Sequence, residues 1–235
     1  MRSPFVILPL VITLAAAAGS MGADSEAVTT VFYDPNEVRP YVSHLRDHAK
    51  PPVEYVLKLF DSHDLIVLAE RTHPETTQWD FIYKLTADPR FIKQVGHVFT
   101  EYGSVSQQRS LEQLMAADDL SEEEVRRRVI AILRNFPTHP HGWQNNNFFD
   151  YLTRLYQLNR SLAADERIKL YFSGVPWQWE GKTKADYDLF WKTQMPKRDQ
   201  IMADRIASQF KEILASDSRS VQRQQLWHKD ERSVK

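Results

Sequence analysis

The chain contains no cysteine, which excludes a disulfide framework, a thiol nucleophile, a thiolate metal site and a lipid-modified cysteine behind a leader. Glycine is scarce, with 7 in 235 residues, and none are grouped as a phosphate-cradling loop. Charge of one sign is lacking as well: 30 Lys and Arg against 31 Asp and Glu give a formal net charge of −1. No global field therefore draws nucleic acid or an anionic membrane. The apolar stretch at 5–18 is shorter than the roughly 20 residues of a membrane-spanning helix and is broken by Pro9, so no permanent membrane span is expected. With Arg2 ahead of it and Gly19, Ser20, Gly22 and Ala23 behind, it reads as a cleavable secretory signal over residues 1–23. The expected location is secreted or periplasmic.

What remains is 42% hydrophobic and 11% aromatic, enough for one domain with a sizeable core. Residues 24–51 mix charges, prolines and short apolar pieces and read as a lead segment without a motif. A helix is expected over 52–62, then a strand at Leu65-Ile66-Val67-Leu68-Ala69, a polar loop, and a helix carrying Trp79, Ile82, Tyr83 and Leu85. The order repeats with a strand at 95–102, a turn at Gly103-Ser104 and a helix over 105–115. Ser121 followed by Glu122, Glu123 and Glu124 predicts a capped helix to about 135, stopped by Pro137 and Pro140. Further helices fit 147–162, 183–193 and 196–215, and a third strand fits 168–173. This pattern predicts a single-domain α/β fold, a parallel or mixed sheet with helices packed on its faces, over 52–215. The polar stretch 216–235 is expected to be a disordered tail.

In such a sheet the loops beyond the carboxyl ends of the strands converge on one crevice. Glu70 ends the first predicted strand, Glu101 the second, and His73 lies three residues past Glu70. Two carboxylates and an imidazole facing one pocket suit general-base activation of water or, with another ligand, a divalent metal held by Glu70, His73 and Glu101. The competing interpretation is a helix cap or a salt-bridge partner at each strand end. Ser104 follows a glycine but has no Gly-x-Ser-x-Gly elbow around it, which argues against a serine nucleophile. His139 and His141 form a weaker metal pair among prolines. Trp177, Trp179, Tyr187, Phe190 and Trp191 fit core packing better than a ligand pocket. Arg126-Arg127-Arg128 and the basic residues of 182–184 are balanced by nearby acids and suit a solvated face.

Leu68-Ala69-Glu70-Arg71-Thr72-His73 resembles the Gly-Glu-x-x-His loop of the erythromycin esterase-like proteins, which group with the haem-uptake ChaN-like and Tiki-type proteins in one superfamily. Phe99-Thr100-Glu101-Tyr102-Gly103 with Gln108 is similar to their second acidic strand end, and Trp143, Asn159 and the stretch 172–179 follow the same order, so the resemblance spans about 52–210. It implies an exported hydrolase of the erythromycin esterase-like type acting on a small-molecule ester or amide. In that role His73 is the base on water, Glu70 and Glu101 orient it or bind a metal, and Tyr102, Gln108 and Arg198 of the Arg198-Asp199 pair contact substrate. The alternative it implies is an exported haem- or small-ligand-binding protein of ChaN-like type, with Tyr102 or His73 as axial ligand, or an inactive truncated relative. Ala69 replaces the usual glycine, Ser104 stands where asparagine is frequent, and Gly174 stands where an acid is common. Relatives continue past the Arg-Asp helix into another apolar strand and a later histidine. Here the chain turns polar at Ser216, the mark of a truncated copy, and His228 has no preceding strand.

Overall fold

The computed structural model describes residues 34–70, 75–137 and 146–216. The predicted signal, most of the polar tail, His73, His139, His141, Trp143 and His228 lie outside the described residues. Two compact units divide between Ala49 and Lys50. The first contributes one described element, helix α1 (Pro35–His48), where the sequence predicts no element. Its start is set by Asp34, whose side chain accepts from the Asn36 amide, and by Pro35, whose fixed φ suits a first helical turn.

The second unit is α/β. It runs α2 (Pro52–Leu59), α3 (Thr76–Thr86), α4 (Pro89–Gln94), β1 (His97–Ser104), a 3-10 turn, α5 (Gln108–Ala116), α6 (Glu122–Leu133) and α7 (Asn146–Arg160). Then follow β2 (Lys169–Gly174), α8 (Lys184–Thr193), a second 3-10 turn and α9 (Arg198–Ser216). Among the described residues the sheet has two strands, β1 and β2, which are parallel and in register from His97 opposite Lys169 to Thr100 opposite Phe172. The α/β class and the helices over the sheet agree with the sequence. Among the described residues no helix is long and apolar enough to cross a membrane.

One predicted strand is absent. Residues 65–69 join no ladder, and Leu65, Val67 and Leu68 are exposed. A strand exists through its partner's hydrogen bonds as much as through its own propensity, and β1 pairs with β2 alone among the described residues. The other strands begin slightly late for local reasons. Asp88 caps the unpredicted helix α4, whose first residue is Pro89, and Gly96 turns out of that helix at φ 67°, delaying β1 to His97.

The core fills the side of the sheet covered by α5, α6 and α7. Leu114, Val129, Phe136, Phe148, Leu152, Leu155 and Phe172 have no exposed surface. Phe136 meets Tyr102 and Phe172 edge-on, with ring centroids 5.1 and 5.3 Å apart, a geometry worth about 0.5–1.5 kcal/mol per pair beyond the area buried. Two buried amides clamp β2. Asn159 of α7 exchanges two hydrogen bonds with the backbone of Ile168, at 2.8 and 3.0 Å. Gln108 of α5 donates to the Leu170 carbonyl at 3.0 Å and accepts from the Phe172 amide at 2.8 Å. A smaller core of Val175, Trp177, Tyr187 and Phe190 absorbs the aromatic cluster, as core packing predicts. The basic run on α6 is solvated: Glu124 binds Arg127 and Arg128, which hold its carboxyl down at about 2.

Candidate functional site

β1 ends in a tight local structure. Gly103 adopts φ +136°, a conformation L side chains rarely reach, and a Cβ there would run into the Phe172 ring. A Cβ on Gly174 would collide with the Gly103 carbonyl oxygen and lie 3.1 Å from that of Glu101. A side chain at this position therefore has no room. Ser104 closes the same corner. Its fully buried hydroxyl accepts from the Trp177 amide at 2.8 Å and lies within 3.0–3.1 Å of the Val175 and Trp177 carbonyls, so it serves the backbone as a cross-link.

This corner presents Glu101 and Tyr102 to a cavity of about 550 Å³. Consecutive residues His97 to Tyr102 of β1 line it. Facing them are the consecutive residues Asp64 to Glu70 and, from α9, Met202, Ile206, Phe210 and Ile213. The 65–69 run thus turns apolar side chains toward the cavity without pairing. The two glutamates named from the sequence therefore share one cavity. Glu70 is exposed and its Oε1 accepts from Gln78 Nε2 at 3.1 Å.

Glu101 pairs with Arg198 across 3.2 Å, and the same guanidinium reaches Asp199 at 3.3 Å. Both Glu101 and Arg198 are about one-third exposed (39% and 33%), so the pair keeps contact with solvent. A second hollow of about 20 Å³, room for one water molecule, lies against Glu101, Tyr102, Gly174 and Arg198. Tyr102 is buried edge-on against Phe136 and Phe148. Burial, and secondarily the charge of Glu70, push its phenol up to about 12. Gln108 is turned away to the backbone of β2 and to Glu112, and contributes to the site by fixing the sheet behind it.

Sequence reasoning passed over the apolar row of α9, although its spacing of four, four and three residues is the signal of one helical face. It also passed over Gln78. Among the described residues no group of three His, Asp or Glu side chains is arranged to hold a metal ion; Glu70 and Glu101 are the described members of the predicted set. Compared with family models, with curated proteins and with solved structures, the chain gives no match to any of the three.

Proposed function

We propose that this protein is an exported hydrolase of the erythromycin esterase-like type, which adds water across an ester or amide carbonyl at the Glu101 end of the large cavity. The observation that carries this reading is the position of Glu101. It lies in the wall shared by the 550 Å³ cavity and the water-sized hollow, with Arg198 at 3.2 Å and Glu70 lining the same cavity. A substrate carbonyl in the cavity and a water in the hollow then meet at one carboxylate.

In this reading a base removes a proton from water as its oxygen bonds to the carbonyl carbon. The role falls to Glu101 or, as the sequence resemblance implies, to His73, three residues beyond Glu70 in the chain. The guanidinium of Arg198, which borders the small hollow, holds the Glu101 carboxylate in place beside the water. Collapse of the adduct breaks the carbon–oxygen or carbon–nitrogen bond, and the base returns its proton to the leaving group. A divalent metal bound by Glu70 and Glu101 with His73 would polarise the carbonyl or acidify the water.

The apolar character of most of the cavity wall favours a second reading, binding of a small ligand without hydrolysis. Haem is a poor fit for Tyr102 in that reading, because burial and the Glu70 charge disfavour a phenolate ligand. A panel of activated esters, assayed with and without chelator, tests the proposal. Glu101→Gln should lose about 10²-fold or more in kcat with little change in KM, and His73→Ala should lose comparably. Activity that survives both substitutions would end the hydrolytic reading at this site. Retained activity in chelator supports a metal-free base, and its loss supports the metal.

A further inference from the structure

We infer that the large cavity is a slot for one long alkyl or acyl chain, and that the substrate class, given the hydrolytic reading above, is a neutral long-chain ester or amide. The first argument is shape. The cavity follows β1 from His97 to Tyr102 and α9 from Met202 to Ile213, both of which span about 16 Å at 3.3 Å per strand residue and 1.5 Å per helix residue. Spread over that length, a volume of 550 Å³ leaves a mean cross-section of only about 30 Å². A flexible polymethylene chain fits such a slot.

The second argument is the distribution of polarity along the slot. The Arg198–Glu101 pair sets the start of α9 beside the far end of β1, and the helix packs against β2 with its apolar row lining the cavity. Glu70 belongs to the same end, since its charge acts on Tyr102. Most of the remaining wall is apolar, supplied by residues 65–69, α2, α3, α4, β1 and α9. Asp64 and His97 lie toward that opposite end, and both have polar partners within the protein. One end is therefore polar and the rest apolar, the arrangement of an amphiphile.

The third argument is the sign of the charge. Among the described residues, the side chains lining the cavity include Asp64, Glu70 and Glu101 but no lysine or arginine, and Arg198 behind Glu101 is shared between two carboxylates. A free fatty acid would place its carboxylate against Glu70 and Glu101, whereas an uncharged ester or amide meets no such repulsion. Hydrolysis of that ester yields a carboxylate where the glutamates stand, so the product is electrostatically expelled from the end at which it forms.

Binding can be read separately from catalysis by displacing N-phenyl-1-naphthylamine, an uncharged fluorescent probe, from the full chain. The competitors are butanol, octanol, dodecanol and dodecanoate. Affinity for the alcohols should rise roughly fourfold per added methylene, the factor for burying one CH₂, and dodecanoate at pH 8 should bind about tenfold or more weakly than dodecanol. Ile206→Trp, on the half-exposed face of α9, should weaken dodecanol by about tenfold or more while leaving butanol unchanged. The same chain-length series is then run with p-nitrophenyl esters. Graded binding without hydrolysis of any ester would overturn the hydrolytic reading and leave the slot standing. Hydrolysis that ignores chain length, together with flat binding, would overturn the slot and leave the hydrolase. Dodecanoate binding as tightly as dodecanol would overturn the preference for an uncharged head.

Discussion

Leu114, Leu152 and Leu155 on one side of β1 are wholly withdrawn from solvent, while Leu65, Val67 and Leu68 on the other side, of equal hydrophobicity, stand 43%, 82% and 47% exposed. The difference lies in what covers each side. Helices α5, α6 and α7 pack on one another, and α5 and α7 are tied to β2, whereas β1 also faces a cavity walled by the unpaired 65–69 segment and by residues of α2, α3, α4 and α9. Closed packing sets the positions of Glu101 and Tyr102, and the open side presents them to the cavity. Apolar sequence alone does not decide which of the two a segment joins.

The largest effects that would sharpen this contrast belong to the closed side. Phe172→Ala should cost about 3–5 kcal/mol in urea unfolding, and Val67→Ala at the most exposed position about 0.5 kcal/mol or less. Equal losses would erase the distinction. Gly174→Asp also belongs to the closed side, losing about 1–3 kcal/mol or more because its Cβ meets the Gly103 carbonyl. Gln108→Leu strands the Phe172 amide and the Leu170 carbonyl, for an expected loss of about 1–3 kcal/mol per orphaned group.

A smaller effect is carried by pH at the boundary between the two sides. Tyr102 stays protonated up to about 12 when folded, against an ordinary phenol near 10, so the unfolded chain loses its proton first. Stability from this group is complete below pH 10 and drains away as pH rises to 12, by about 2–3 kcal/mol. Tyr102→Phe should therefore show a shallower alkaline decline in urea midpoint than the parent chain. Smallest of all, Arg198→Ala should alter stability by about 1 kcal/mol or less, because the pair it breaks is solvated. A larger loss would mean that the open side is held together as firmly as the closed one.

Elements with local signals were legible in the sequence. The Ser121 cap and acidic first turn of α6 and the amphipathic face of α7 are written in contiguous residues, and the helices form within two residues of the expected ends. Helices α1 and α4 carry the same kind of signal, Asp34-Pro35 and Asp88-Pro89, which the sequence reading passed over. The strand expected at 65–69 failed for a different reason: an apolar run announces burial against something, and the partner is not encoded in the run itself. The site divides the same way. That Glu70 and Glu101 converge follows from their places after apolar runs, but the tie from Glu101 to Arg198 depends on how α9 packs against β2. Gln108, expected to contact substrate, is held instead by the backbone of β2, a partner that its position in α5 does not reveal.

The parallel pairing of β1 with β2 also has a bearing on time. His97 meets Lys169 only after α5, α6 and α7 have been placed between them, so the sheet rests on long-range closure while its intervening helices can form from near neighbours. The expected order is a helical layer early and strand pairing late, which pulse-labelled hydrogen exchange would register as helix amides protected before those of Phe99 and Phe172. Until that last step Glu101 has neither the cavity beside it nor its pairing with Arg198, and a chain stalled there would hold nearly all of its helices without the geometry at the end of β1.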